Sequence, residues 1–161
     1  MEQFFDELLN DLPTTYQLLS VTFRLSLAGV LGAIPGIQRE RSGQAAGLRT
    51  HMMVAVGAAM FVIAALESGA TIDDTTRVVQ GLATGIGFVG AGAILKSAED
   101  QRVHGLTTAS SIWLTAGLGT AVGLGRVWLP ILGAFFALLI LSVMAWVSDR
   151  ISPPNEQKAH M

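Results

Sequence analysis

Residues 15–37 read TYQLLSVTFRLSLAGVLGAIPGI, a run in which Arg24 is the one charged side chain. The hydrocarbon core of a bilayer takes roughly 20 such residues in a helix, so the run predicts a membrane-spanning helix. Four more windows qualify on length: residues 48–66, 76–95, 106–124 and 127–147. The expected fold is therefore an all-α polytopic membrane protein with about five transmembrane helices. Composition agrees: 51% of the 161 residues are hydrophobic and 14% are charged, against about 25% charged in soluble domains. Mean hydropathy is +0.53. With 10 basic and 12 acidic side chains the chain cannot clothe a soluble globule that also carries these runs, which excludes a soluble globular enzyme. A net charge of −2 offers no basic footprint for nucleic acid. The absence of Cys excludes disulfides, thiolate metal sites and iron–sulfur clusters.

Charge placement divides the chain. Residues 1–14 form a short acidic segment with Glu2, Asp6, Glu7 and Asp11, expected to be periplasmic. It has no basic n-region and no small-x-small cleavage site before Arg39, so it does not read as a signal peptide. Residues 15–147 are the transmembrane domain, and residues 148–161 a short polar cytoplasmic tail. With five spans, one side holds Arg39, Arg41, Arg49, Lys96, Arg102, Arg150 and Lys158, and the other only Arg77 and Arg126. The positive-inside rule then puts the N-terminus outside and the C-terminus in the cytoplasm. A single kinked helix over residues 106–147 would be about twice the bilayer requirement, which favours a break near Gly125.

Small residues suggest which helices touch. The third window carries Gly81, Gly85, Gly87, Gly90 and Gly92, the fourth Gly117, Gly119 and Gly123, and the first Ala28, Gly32 and Gly36. Small residues at such spacing let backbones approach in lipid. Spans one, three and four are expected at the centre, with Gly85, Gly87, Gly90 and Gly92 as helix-packing positions, and the fifth span is expected to face lipid. An ungapped offset of 58 residues carries Gly29 onto Gly87, Gly32 onto Gly90, Gly47 onto Gly105, Leu48 onto Leu106 and Thr50 onto Thr108. It predicts a parallel repeat of two-helix units about an axis along the membrane normal. Gly-rich helices match one another by composition too, but GLRT at 47–50 and GLTT at 105–108 in one register are hard for composition to produce.

Candidate functional residues gather at the cytoplasmic face. Arg39 and Arg41 serve as positive-inside anchors, whereas Glu40 between them is not required for anchoring. Thr50, Thr107 and Thr108 are candidate N-caps. Two such helix starts beside Arg49 also make a polar, anion-accepting surface. The functional cluster is thus Arg39, Glu40, Arg49, Thr50, Thr107 and Thr108, with Arg24 a second candidate inside the membrane, or a packing device paired with Glu67 or Asp73. The GxGxxG of residues 85–90 lies inside a span with no preceding strand and reads as helix packing. His51 and His104 have no acid or Cys at ligand spacing, and no nucleophile stands beside a base. No catalytic residue, metal or cofactor is expected.

Three segments taken together resemble the MgtC/SapB family of bacterial inner-membrane proteins: RERSGQAAGLRTHMMVAVGAA at 39–59, GIGFVGAGAIL at 85–95 and GLTTASSIWLTAGLGTAVGLG at 105–125. The resemblance covers roughly residues 18–147. It implies a small polytopic inner-membrane protein linked to growth under magnesium limitation, acid stress or survival inside host phagocytes, and leaves the molecular activity unspecified. Longer members carry a soluble cytosolic domain after the last span, where this sequence has residues 148–161. The expected function is non-enzymatic modulation of ion homeostasis through a membrane protein partner or a homo-oligomer. The alternative is an ion transporter or channel with its path between the repeats. Against it stands the lack of an Asp or Glu deep in any span, since magnesium prefers oxygen ligands.

Overall fold

The structure is a computed structural model that describes residues 13–96 and 103–151. In these stretches the chain forms five helices: α1 (Thr15–Arg41), α2 (Leu48–Glu67), α3 (Ile72–Gly92), α4 (Leu106–Gly123) and α5 (Trp128–Ile151). Two-residue strands β1 (Leu95–Lys96) and β2 (Val103–His104) pair antiparallel between α3 and α4, an element the apolar windows do not register. α1 and α2 are long and apolar enough to cross a membrane. The other helices carry more polar character or a shorter apolar run: α3 opens with Asp73, Asp74, Thr75, Thr76 and Arg77, α4 holds five hydroxyl side chains in its first ten residues, and α5 is apolar over Trp128–Val143.

Local chemistry sets the ends. Thr14 and Gln17 form a reciprocal capping box at α1, and Thr71 and Asp74 do the same at α3. α1 runs through the buried Pro35, which lacks an N–H to donate to the preceding turn, and continues to Arg41. After α4 the chain breaks as expected. Gly125 takes φ +77, its N–H donates to the Val122 carbonyl, and that of Arg126 donates to Ala121. This is the left-handed ending for which glycine is favoured.

The predicted order of packing is corrected in one respect: α2, not α3, is central. It lies between α1 and α4, with Ala55, Ala59 and Val62 wholly buried. A Cβ on Gly32 of α1 would stand 2.7 Å from the Ala55 Cβ, and one on Gly36 would stand 2.9 Å from the Leu48 Cα. From the other side, a Cβ on Gly119 of α4 would collide with the Ala55 carbonyl, and one on Gly123 would lie 2.8 Å from the Ala59 carbonyl. The pairs advance together along the chain, so α2 and α4 run parallel with their starts at the same end. Alanines serve this close approach as well as glycines do, which a search for glycine alone overlooks.

α3 leans on α4 and touches α2 less, with Thr75 and Gly90 its buried residues. Nothing lies within 4 Å of a Cβ placed on Gly81, Gly85, Gly87 or Gly92, so of the four expected packing glycines Gly90 alone meets a neighbour, Ala109. α5 lies on α1 and α4 through the buried Pro130, Ala134 and Ala137, and exposes Phe135, Phe136, Leu139 and Ile140.

Candidate functional site

The polar residues of α1, α2 and α4 meet at the end where α1 stops and the other two begin. The turn after α1 folds back, with the Gln44 N–H donating to the Arg39 carbonyl. This sets the Gln44 side chain over Arg39. Arg39, only 6% exposed, donates from Nη2 to Gln44 Oε1 at 3.0 Å and to Thr108 Oγ1 of α4 at 2.6 Å. The Thr108 hydroxyl in turn reaches Gln44 Oε1 at 3.5 Å. Both of these acceptors are neutral, and among the described residues the buried Arg39 Nε has none. A guanidinium so enclosed carries a desolvation cost of several kcal/mol that neutral acceptors offset only in part.

One turn into α2, His51 is fully buried. Its Nδ1 lies 2.8 Å from the Gly47 carbonyl and its Nε2 lies 3.0 Å from Ser111 Oγ of α4. Ser111 Oγ is also 2.8 Å from the Thr108 carbonyl, and the Thr115 hydroxyl donates to the Ser111 carbonyl. A neutral ring donates to Gly47 through Nδ1–H and accepts the Ser111 proton at Nε2. The Ser111 hydroxyl has one hydrogen, so it can serve Thr108 only when the ring donates at both nitrogens. Two buried hydrogen-bond groups, Arg39–Thr108–Gln44 and His51–Ser111, therefore join α1, α2 and α4.

The expected cluster is only partly assembled. Arg39 and Thr108 are its joined members. Glu40 points the other way and accepts the Leu48 N–H at 2.7 Å, supplying a carboxylate to the positive end of α2. Arg49 and Thr107 are exposed, and Thr50 is half-buried. The proposed threonine caps are corrected: Gly47 and Gly105 are the N-caps, neither makes a side-chain cap, and the threonines lie inside the first turns. Gly105 takes φ +90, and a Cβ there would collide with the Ala93 carbonyl, which leaves no room for a capping side chain. Arg24 is at the opposite end, half-buried, where Nη1 donates to the Gly123 carbonyl at 3.4 Å. It caps the negative end of α4 instead of pairing with Glu67, whose carboxylate accepts from Gln17 Nε2. Sequence reasoning missed Gln44 and the buried roles of His51 and Ser111. His51 does share a four-residue stripe with Ala55 and Ala59, a signal of inward placement, whereas nothing in the sequence marks Gln44.

Among the described residues no three His, Asp or Glu side chains converge on a metal-sized site. A groove of about 500 Å³ opens between α2 and α3, lined by Met53, Phe61, Val78, Leu82, Ile86 and Val89 with Gly57, Gly81 and Gly85. It is apolar.

The MgtC family profile matches residues 25–150. The chain is 46% identical to Protein SrpB of Synechococcus elongatus, over 87% of the chain and 92% of that protein. It is 37% identical to the Escherichia coli K12 protein named "Putative magnesium transporter YhiD", over 82% of the chain and 64% of the relative. It is 40% identical to Protein MgtC of Salmonella typhimurium, over 63% of the chain and 42% of the relative. The chain thus spans less than two thirds of the last two. No solved structure matches it.

Proposed function

Because the chain belongs to the MgtC family, we propose that it is a multi-pass protein of the bacterial inner membrane that modulates magnesium-linked ion homeostasis or stress adaptation without catalysing a reaction. It does so through a membrane protein partner or a second copy of itself. In this reading the five helices span the bilayer, the N-terminus is outside, and the polar end is cytoplasmic. The 58-residue offset describes a parallel repeat. It is supported by Gly47 and Gly105, which both start helices at the same end, and by one contact made twice: Gly32 lies over His51, and its counterpart Gly90 lies over Ala109, the counterpart of His51.

The observation that carries the reading is the buried Arg39–Thr108 bond beside His51–Ser111. Burying a charge on neutral acceptors is an expensive way to join helices that glycine contacts already join, which marks this end as functional. The alternative, transport along a path between the repeats, takes its support from the name given to the YhiD relative. The groove between α2 and α3 is lined by carbon, however, and magnesium dehydrates reluctantly and prefers oxygen ligands.

Growth of a magnesium-sensitive bacterial strain complemented with the chain tests the proposal. Arg49→Ala at normal abundance, and Thr108→Val expressed to a matched level, should insert and lose rescue at low magnesium. Full rescue by both at matched expression would refute the functional role of this end. Protein-dependent magnesium flux into dye-loaded liposomes would decide for transport.

A further inference from the structure

A second groove, of about 290 Å³, lies between α3 and α4, walled by Val79, Leu82 and Ile86 on one side and by Trp113, Ala116 and Leu124 on the other. Its lining on α4 runs from Trp113 to Leu124, about 16 Å of helix. That is about half the hydrocarbon core of a bilayer, the depth of one leaflet. Beyond Trp113 a further groove of about 390 Å³ continues between the same helices toward the polar end, and Ile86 and Trp113 border both. Two bulky side chains thus divide this face near its middle. A partner's transmembrane helix packs on a continuous run of small residues, which the divided face does not offer, whereas a leaflet-deep groove accepts an acyl chain.

Two polar residues interrupt the apolar lining. Arg126, in the turn before α5, stands at the mouth, and among the described residues its side chain has no hydrogen bond or ion pair. The negative end of α4 is already met by Arg24, so Arg126 is not needed as its cap. Thr120 lies on the wall between Arg126 and Trp113. Thr75, Thr76, Thr84 and Thr115 each donate to the carbonyl four residues back, whereas among the described residues the Thr120 hydroxyl has no acceptor. From mouth to floor the groove therefore offers a cation, a free hydroxyl donor and then carbon. We infer that it holds one acyl chain of an anionic phospholipid, with the phosphate at Arg126, the ester region beside Thr120 and the chain reaching Trp113. The inference rests on the reading that the helices span a bilayer, and not on the functional role of the polar end.

The full chain carrying Trp128→Phe and Trp146→Phe, which leaves Trp113 as its one tryptophan, is reconstituted into phosphatidylcholine vesicles. A minor share of the lipid has brominated chains, on either phosphatidylglycerol or phosphatidylcholine. Bromine near the ring quenches Trp113, so the two quenching curves read the preference at the groove. Brominated phosphatidylglycerol should quench at about fivefold lower mole fraction, the scale of one basic residue facing anionic lipid. Arg126→Gln should remove the preference and Arg126→Lys should keep it, as should Arg77→Gln, which lies outside the groove lining. Gly117→Leu, on the groove wall with nothing within 4 Å of its Cβ, should melt as the wild type does and lose the preference. The unsubstituted chain in maltoside micelles should likewise gain more in melting temperature from phosphatidylglycerol than from phosphatidylcholine. The inference is overturned if both lipids quench and stabilise equally, if Arg126→Gln keeps the preference, or if inorganic phosphate abolishes it at matched ionic strength. Quenching by neither lipid would overturn the spanning reading of α3 and α4 as well, which tells that failure apart from the loss of the lipid site alone.

Discussion

The hairpin α1–α2 and the hairpin α3–α4 match at an offset of 58 residues, yet one is closed and the other splayed. In the first, Ala28, Gly32 and Gly36 form a stripe of small residues against His51 and Ala55. Carried forward by the offset, that stripe becomes Ile86, Gly90 and Ile94, and Ala55 becomes Trp113, which is 56% exposed. Only the central glycine is kept. A Cβ on Gly32 would lie 2.8 Å from the His51 carbonyl, whereas one on Gly90 would lie 3.8 Å from the Ala109 carbonyl. Bulk at both ends of the stripe therefore holds α3 off α4. Glycine content does not close a helix pair unless the facing positions are small too.

The sharpest way to break this comparison is to load both hairpins equally. Gly119→Leu and Gly32→Leu push into the Ala55 backbone and side chain, where overpacking costs about 1–3 kcal/mol and occasionally more. We expect little folded protein in detergent from either. Gly87→Leu, in open space on α3, should be recovered at normal yield and melt within a few degrees of the wild type. Collapse of Gly87→Leu would mean that this face is packed against a partner or a second copy in the membrane.

These outcomes reverse what glycine counting predicts, and the reason shows how far the sequence could be read. Apolar length gave the helices within a few residues, because a long apolar run meets its backbone hydrogen bonds internally by coiling into a helix. The Gly125 break was also legible. Lateral order was not, since a helix such as α2 reaches the centre through alanines that look ordinary in sequence. At the polar end, Arg39 and Thr108 could be nominated as loop neighbours, but Glu40 reaching Leu48 and Gln44 folding over Arg39 depend on a turn whose geometry no motif announces.

Polar contacts give intermediate effects. Thr108→Val leaves Arg39 with Gln44 as its remaining acceptor, and a hydrogen bond to a charged group contributes about 1.5–3 kcal/mol. His51→Leu removes the two ring hydrogen bonds, at about 0.5–1.5 kcal/mol each, while the Gly47 carbonyl keeps the backbone N–H of residue 51 and the Ser111 hydroxyl keeps the Thr108 carbonyl. Ala109→Val, at the counterpart of His51, removes no side-chain hydrogen bond. Thermal melts should therefore rank Thr108→Val and His51→Leu well below Ala109→Val, and equal melting temperatures would erase the distinction between the hairpins. Glu40→Gln keeps an oxygen for the Leu48 N–H and loses only the charge, a change of about 0.3–1 kcal/mol at a helix start.

The smallest effect belongs to the splayed hairpin, at the exposed start of α3. The Thr71 hydroxyl and backbone N–H both donate to Asp74, which lies ahead of the apolar window at 76–95, and they hold its carboxyl below the usual carboxylate range. A depressed folded-state value means that the stabilisation is fully present above the ordinary carboxylate range and is lost as pH falls through the lowered value. Near neutral pH the cap is intact. Asp74→Asn keeps a capping oxygen but removes this titration, so its melting temperature should differ slightly from the wild type at neutral pH and converge with it on acidification. Because Asp74 is fully exposed, water and salt screen the contribution, and added salt should narrow the neutral-pH difference. A gap that widened toward acid would show that the Asp74 charge destabilises α3, and that the Thr71–Asp74 pair is not what holds the start of that helix.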